Sequence, residues 1–460
     1  MKIDRAFSLR FKFIADALHG SGGFAPHLDP NTTPNAETTY LVRYPRESAD
    51  KFARRQRIAW YRNFLRPACE RFTGYLARKP PIRDIRNPLL QKMVDDCDWR
   101  GNSLEVFFNS FAIDAKARGS MLLLVDMPKA VPLNQAEQMA ARAFPYLVAI
   151  APERVIEYAL NDQGRLSLVA FLDSVENANG MQEPVWRVYT EQAWWVQRPG
   201  SLATNPEAWI EGAEHGLGLC PVLAFTESGD FPAVGSFCQI AELSRRYYNA
   251  AAERDEILRA QTFSLLTYQV GEKQSGFDAG QVAEAIGTHN MLMHHGATPA
   301  FIAPPDGPAT IYSQVLQDLE DAIRRIAMTV EQPAQAESGV ALTIRFQELN
   351  SALTGFARRM EDFERRIWDM AARWLNVDDN TEISWPKSYE LADLEMELNV
   401  LQTMQSTGFP PEVIRAQMES VVGLQFGTHD AADVEALMES VRDAGAEIMP
   451  GGPAGQAVVG

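Results

Sequence analysis

The sequence predicts an α+β protein whose helices and strands lie in separate blocks along the chain. Three observations carry this reading. Residues 46–118 and most of 236–443 place apolar side chains at the three- and four-residue steps of an amphipathic helix. Between them, residues 121–226 hold short runs rich in β-branched and aromatic residues, separated by turn signals such as "NDQG" and "NANG". No strand–helix–strand alternation marks a parallel sheet, so the strand block reads as mostly antiparallel.

Taken in order, the first helical stretch is 46–78, where Phe52, Ile58, Tyr61, Phe64 and Leu65 recur at helical spacing and Pro67 predicts a kink or a division. "RKPPI" ends it. A second stretch runs from "NPLLQ" to "AKARGS", with Gly119 placed to cap its C-terminus. The strands follow: "MLLLVDMP" (121–128), "YLVAIAPERVIEYAL" (146–160), "LSLVAFLDSV" (166–175), "VWRVYTEQAWWVQR" (185–198) and "CPVLAFT" (220–226).

Helix returns at about residue 236, and residues 264–304 read as a small insert of short strands and turns. In the next helix Ile311, Val315, Leu319, Ile323, Ile326 and Val330 form an apolar stripe. After the break "EQPAQAESG" the cleanest pattern in the chain begins. Phe346, Leu349, Leu353, Phe356, Met360, Phe363, Ile367, Met370 and Trp374 alternate steps of three and four, with Arg358, Arg359, Arg365, Arg366 and Arg373 off the stripe. Unbroken from Gly339 to Leu375, such a helix spans about 55 Å, and Gly355 is the natural place for a bend. The tail predicts a helix, a Gly-Phe-Pro-Pro turn, a second helix and a short third helix at 431–443. The final "PGGPAGQAVVG" cannot bury a core and reads as disordered.

The totals bound function. With 460 residues, 46% of them apolar, the chain can build a sizeable core and two or more domains. A net charge of −17 argues against tight wrapping on nucleic acid, which needs clustered Lys and Arg. It leaves open a surface that nucleic acid passes without sticking. No run approaches the ~18 apolar residues of a membrane span. The opening "MKIDRAFSLRFKFIADALHG" lacks a signal-peptide core, so the expectation is a soluble protein not exported by a signal. Cys69, Cys97, Cys220 and Cys238 are far apart and read as reduced thiols in a reducing compartment.

Signatures of catalysis are missing from the sequence: it has no GxxxxGK[ST], no GxGxxG, no GxSxG and no HExxH. "VDDCD" and "VDDN" read as solvated turns or caps. His294 and His295 tempt as metal ligands, but neighbours in a strand point to opposite faces and no third ligand is spaced nearby. The clusters "AWW" and "AWYRNF" can stack on bases, yet without a basic surface they read as core. The arginines beside Glu and Asp after residue 345 suit intrahelical pairs, or pairs with a neighbouring copy.

Several segments, in order, resemble the portal proteins of tailed bacteriophages. "GYLARKPP" and "DDCDWRGNSLEVFFNSFAIDAKARGSMLLLVDMP" look like the family's first wing helices entering its β region. "RRYYNAAAERDEILRAQTFSLLTYQVGEK" looks like the first stem helix entering the clip. "ESGVALTIRFQELNSALTGFARRMEDFERRIWDMAARWL" looks like the passage from tunnel loop to long wing helix, and "LQTMQSTGFPPEVIRAQM" is similar to the helical crown. The resemblance spans roughly residues 40–440.

It implies a portal-type fold with the wing at 1–235, stem helix 1 at 236–263 and a small α/β clip at 264–308. Stem helix 2 would then be 309–330, the tunnel loop 331–339, a long kinked wing helix 340–376, the crown 377–445 and a disordered tail 446–460. It further implies a homo-oligomeric ring, normally of twelve, at a capsid vertex of the virion, assembled in the host cytoplasm. Double-stranded DNA would be driven through it by the terminase motor and later ejected. The other partners would be the head–tail connector or adaptor and the major capsid and scaffolding proteins, with no membrane, cofactor, metal or catalytic residue.

On this reading Glu331, Gln332, Gln335, Glu337, Ser338 and Gly339 face the DNA. The loop leaves helix at Pro333, stays small and holds no Lys or Arg, which suits a sliding surface. Arg324 and Arg325 are candidates for a basic channel ring, though either can pair with Glu320 or Asp321. Lys273, Phe277, His294 and His295 would contact terminase or connector in the clip. Two rival functions stand beside this one: a ring adaptor that never meets DNA, and a metal-dependent hydrolase using carboxylates with His289, His294 and His295.

Overall fold

The computed structural model describes residues 5–25, 39–128, 142–176, 180–203, 205–229, 231–262, 265–269, 291–294, 300–302, 307–328, 339–378, 381–389, 394–426 and 431–444. Most strands fall in one antiparallel block, residues 120–226, with helices before and after it, as in an α+β protein. By contact density the chain divides into two compact units, Met1–Tyr389 and Glu390–Gly460.

The larger unit opens with α1 (Arg5–His19), an element the sequence reading did not assign. Phe11, Ile14 and Leu18 lie on one helical face and are fully buried, so the charged residues between them form the wet face of an amphipathic helix. Helix α2 (Ala49–Ile58) starts at Ser48, whose hydroxyl accepts from the Lys51 amide at 3.3 Å. Helix α3 (Leu65–Ala77) begins only after a non-helical link at 59–64. The division predicted at Pro67 therefore falls earlier. Pro67 sits in the first turn of α3, where a missing amide N–H costs nothing.

After β1 (Ile82–Asp84) come α4 (Pro88–Asp95), capped by Asn87, and α5 (Leu104–Arg118), capped by Ser103. What reads as one helix is thus two, joined by a tight loop in which the Cys97 amide donates to the Asn102 carbonyl at 3.0 Å. Gly119 ends α5 at φ +81°, and a Cβ there would lie 1.9 Å from the Gly235 amide nitrogen. Only glycine fits both demands.

Two antiparallel sheets follow. Strand β2 (Ser120–Asp126) lies between β3 (Tyr146–Ile150) and β9 (Val222–Thr226). It is an unbroken apolar run, Met121 to Val125, because both of its faces are buried. The second sheet is a meander of β4 (Val155–Leu160), β5 (Leu166–Glu176), β6 (Gln182–Thr190), β7 (Ala193–Gln197) and β8 (Glu211–Glu214), with every neighbour antiparallel.

Next come α6 (Cys238–Thr262), the strands β10 (Leu265–Gln269), β11 (Met291–His294) and β12 (Ala300–Ile302), then α7 (Gly307–Ile326). Helix α8 (Gly339–Leu375) has 37 residues and runs without a break through Gly355. From Leu349 to Met370 its apolar stripe is buried throughout. Phe363 stacks on Phe111 at 5.4 Å and meets Phe225 edge-on at 5.5 Å, so one side chain joins α8, α5 and β9. At the end of the stripe the Trp374 indole donates to the Val125 carbonyl at 2.8 Å. Finally β13 (Glu382–Ser384) returns to pair with β1.

The smaller unit holds α9 (Leu394–Ser406), α10 (Pro411–Phe426) and α11 (Ala431–Ala444). Gly408 at φ +73° closes the first of these, and Pro411 opens the next. Arg442 on α11 pairs with Glu419 on α10 at 3.2 Å.

Candidate functional site

Helices α6 and α7 lie against each other, and between them in the chain comes the small sheet, whose central strand β10 runs parallel to β11 and antiparallel to β12. The contact is built from small and aromatic residues. Tyr247, Ala250 and Ala251 of α6 bury against Leu316 of α7, with Tyr312, Leu319 and Phe64 around them. Alanine lets the two helices approach closely, and polar pairs tie the flanks. Glu253 accepts from the hydroxyls of Tyr44 and Tyr312. That bond pushes the Tyr312 phenol up to about 12, since the proton is held by the carboxylate. Glu320 accepts from the Tyr247 hydroxyl at 3.1 Å and from Arg62 and Arg324.

The stripe expected on α7 is only partly interior. Leu316 and Ile323 are buried, whereas Ile311 is 65% and Val315 40% exposed. The buried face is set by α6, whose Ala250 and Ala251 meet Leu316. Ile311 and Val315 remain as apolar side chains facing outward.

Arg324 is exposed and bonded to Asp321 at 3.0 Å and Glu320 at 3.4 Å, the intrahelical pairing that the sequence left open. Arg325 is exposed, with no ion pair among the described residues. Gly339 is the first residue of α8. Glu331, Gln332, Gln335, Glu337 and Ser338 lie outside the described residues, as do Lys273, Phe277, His289 and His295. His294 ends β11, in register with Gln269 of β10.

Off the stripe of α8, Arg365 pairs with Glu361 and Asp362, and Arg373 with Asp369 at 3.1 Å. Arg366 instead donates to the Ala224 carbonyl at 3.0 Å, and Arg359 to that of Thr226 at 3.5 Å, both on β9. Those two arginines fasten the helix to the sheet, a role that sequence spacing could not reveal.

The described residues offer structure more readily than chemistry. Burial pushes the Cys97 and Cys220 thiols up to about 12, and those of Cys69 and Cys238 also rise, so all four stay protonated. Asp126 is raised above the usual carboxylate range by burial, although it accepts from Tyr146 at 3.1 Å, Tyr189 at 3.2 Å and the Met127 amide at 2.9 Å. His215 is lowered by desolvation, with its Nε2 3.0 Å from the Thr190 carbonyl. Among the described residues no three His, Cys, Asp or Glu side chains are grouped to hold a metal ion. No helix there is long and apolar enough to cross a membrane.

One feature escaped the sequence reading. Trp60 of "AWYRNF" is 50% exposed and lies between Arg57 and Arg62, both exposed, whereas Tyr61 and Phe64 of the same cluster are packed. The signal was present as an excess of arginine over residues 43–79, masked by the acidic total.

No protein-family model and no curated protein sequence matches the chain. Among solved structures it is similar to a chain of the virion of a native gene transfer agent particle, at 12% identity and a TM-score of 0.39, covering 82% of this chain and 90% of that one. A chain in the neck of the empty particle, computed with C6 symmetry, is similar at 12% identity and a TM-score of 0.38, covering 81% and 89%. A third, from the neck of the native particle computed with C12 symmetry, gives 13% identity and a TM-score of 0.38, covering 82% and 89%. Likeness at that level adds no weight to a functional reading.

Proposed function

We propose that the chain is a portal-type subunit, one copy of a homo-oligomeric ring through which double-stranded DNA enters and leaves a phage-like capsid. The observation that carries this is the order of elements around one break. Two packed helices, α6 and α7, flank a small three-stranded sheet, and residues 329–338 then connect α7 to the 37-residue α8 whose stripe forms the centre of the core. That order matches stem, clip, stem, tunnel loop and wing helix, and the ordered sequence motifs point the same way.

In this reading the segment 331–339 projects into the channel, where its glutamines and glutamates offer DNA no firm phosphate contact. The insert 264–308 meets the terminase motor and later the head–tail connector. The outward-facing Ile311 and Val315 of α7 are covered by the neighbouring subunit, which gives exposed apolar residues on a stem helix their physical reason. Twelve copies, placed at a capsid vertex with the major capsid and scaffolding proteins around them, complete the proposal. ATP hydrolysis belongs to the partner motor.

Single-particle electron microscopy of the purified chain tests it. A closed ring with a central hole that admits a duplex, lined by residues 331–339, is the expected result. A particle that stays monomeric or dimeric at every protein concentration overturns it. A ring in which those residues sit away from the hole removes the channel role and leaves an adaptor.

A further inference from the structure

The net charge of −17 conceals a local asymmetry: residues 43–79 hold eleven Lys and Arg against three Asp and Glu. These residues span α2 and α3, the link between them and the few residues on either side. Arg54 and Arg57 on α2 are exposed, as are Arg66, Arg71 and Arg78 on and after α3. Arg62, Arg71 and Arg324 line a cleft of about 300 Å³ where α3 meets the end of α7, together with Phe64, Pro67 and Ile323. Glu320 is the carboxylate in that lining, and it already serves Arg62, Arg324 and Tyr247. Arg324 also pairs with Asp321 at 3.0 Å, yet residues 43–79 as a whole keep eight more positive than negative charges.

We propose that this cleft, with the basic face of α2 and α3, binds the sugar–phosphate backbone of duplex DNA without reading its sequence. Guanidinium forks match phosphate oxygens in pairs, and the apolar side chains beside them strengthen the contact by limiting water. A single carboxylate from an acidic protein segment would also fit the cleft. The basic residues, however, extend over two helices and a link, the pattern of a polyanion that carries a charge every ~1.7 Å. Trp60 and the flanking Arg57 add an exposed amphipathic contact on the same link. Elsewhere the acidic surface repels a duplex, so DNA is directed to this face. Binding here requires no ring and stands apart from the channel reading.

Fluorescence anisotropy of a short labelled duplex of mixed sequence, titrated with the full chain, tests the proposal. With about three phosphates neutralised in the cleft and about two more on α2, affinity should fall about 500-fold between about 50 and 200 mM salt. In Arg71→Gln/Arg324→Gln two of those contacts are gone, and the fall should shrink to about 40-fold. Arg54→Gln/Arg57→Gln, which touches none of the cleft's ion pairs, should also weaken binding and flatten the salt dependence. It keeps the test open if the cleft variant does not fold. Absence of binding at low salt, or a wild-type fall below about 2-fold, overturns the proposal. So does either folded variant binding like the wild type. A variant that changes particle size but not DNA affinity would assign the face to contacts between copies instead.

Discussion

Glu364 offers the sharpest test of how the larger unit is held together. Its side chain is fully buried on α8, and it accepts from Arg83 Nε at 2.5 Å and Nη2 at 3.3 Å, from Trp385 Nε1 at 2.8 Å and from Trp368 Nε1 at 3.3 Å. Arg83 comes from β1 and Trp385 follows β13, so this one carboxylate fastens the two-stranded ribbon to the long helix. Glu364→Gln keeps the shape and one acceptor oxygen but leaves the Arg83 guanidinium, whose side chain is only 9% exposed, without its counter-charge. Breaking one side of a buried pair costs about 3–5 kcal/mol. Since glutamine still receives one indole, about 3 kcal/mol is expected. Arg83→Met should cost a similar amount, because it strands the carboxylate instead. In Arg83→Met/Glu364→Gln both charges are gone, and the double variant should be more stable than either single one. Urea denaturation followed by tryptophan fluorescence measures this, with Trp368 and Trp385 reporting from the site itself. Single variants within about 1 kcal/mol of wild type, or a double variant equal to their sum, would refute the reasoning.

Three further outcomes are expected. Phe363→Ala should cost about 3–5 kcal/mol in the same assay, because the ring is fully enclosed by Phe111 and Phe225, and an unchanged midpoint would displace the stripe from the core. Asp126 is raised by burial, so between the ordinary and the raised value its folded form keeps a proton that the unfolded chain releases. Stability from this group should be full below the ordinary carboxylate value and decline as pH rises through the raised one. Asp126→Asn should then flatten that acid-side slope, read from melting temperature against pH. A thiol reagent should leave Cys69, Cys97, Cys220 and Cys238 unmodified in the folded chain and modify all four in urea, and rapid native labelling would contradict their burial.

Periodicity made the long helix legible because it reports burial directly. A helix with one face in the core must place apolar residues at steps of three and four, and Leu349 through Met370 do so. The strand runs were legible for the same reason, with β2 giving itself away as a central strand by lacking any polar alternation. Helix α1 is poorly legible in sequence because its polar face is charged at close intervals, which obscures the spacing of Phe11, Ile14 and Leu18. The break at 59–64 was misplaced at Pro67 because proline is harmless in a first turn, and only the chain's path shows which turn is first.

By itself, then, the sequence determined the class of fold, the order of its blocks, the glycine that ends α5 and the composition of the 331–339 break, since each follows from local propensity or from a pattern repeated along one element. Only the tertiary structure decided that Arg366 and Arg359 grip β9 rather than neighbours on their own helix, that Glu364 is the buried partner of Arg83, and that Arg62, Arg71 and Arg324 share a cleft. A charged side chain is long and its partner is chosen by distance in space. Residues 281 positions apart, as Arg83 and Glu364 are, meet only after the chain has folded.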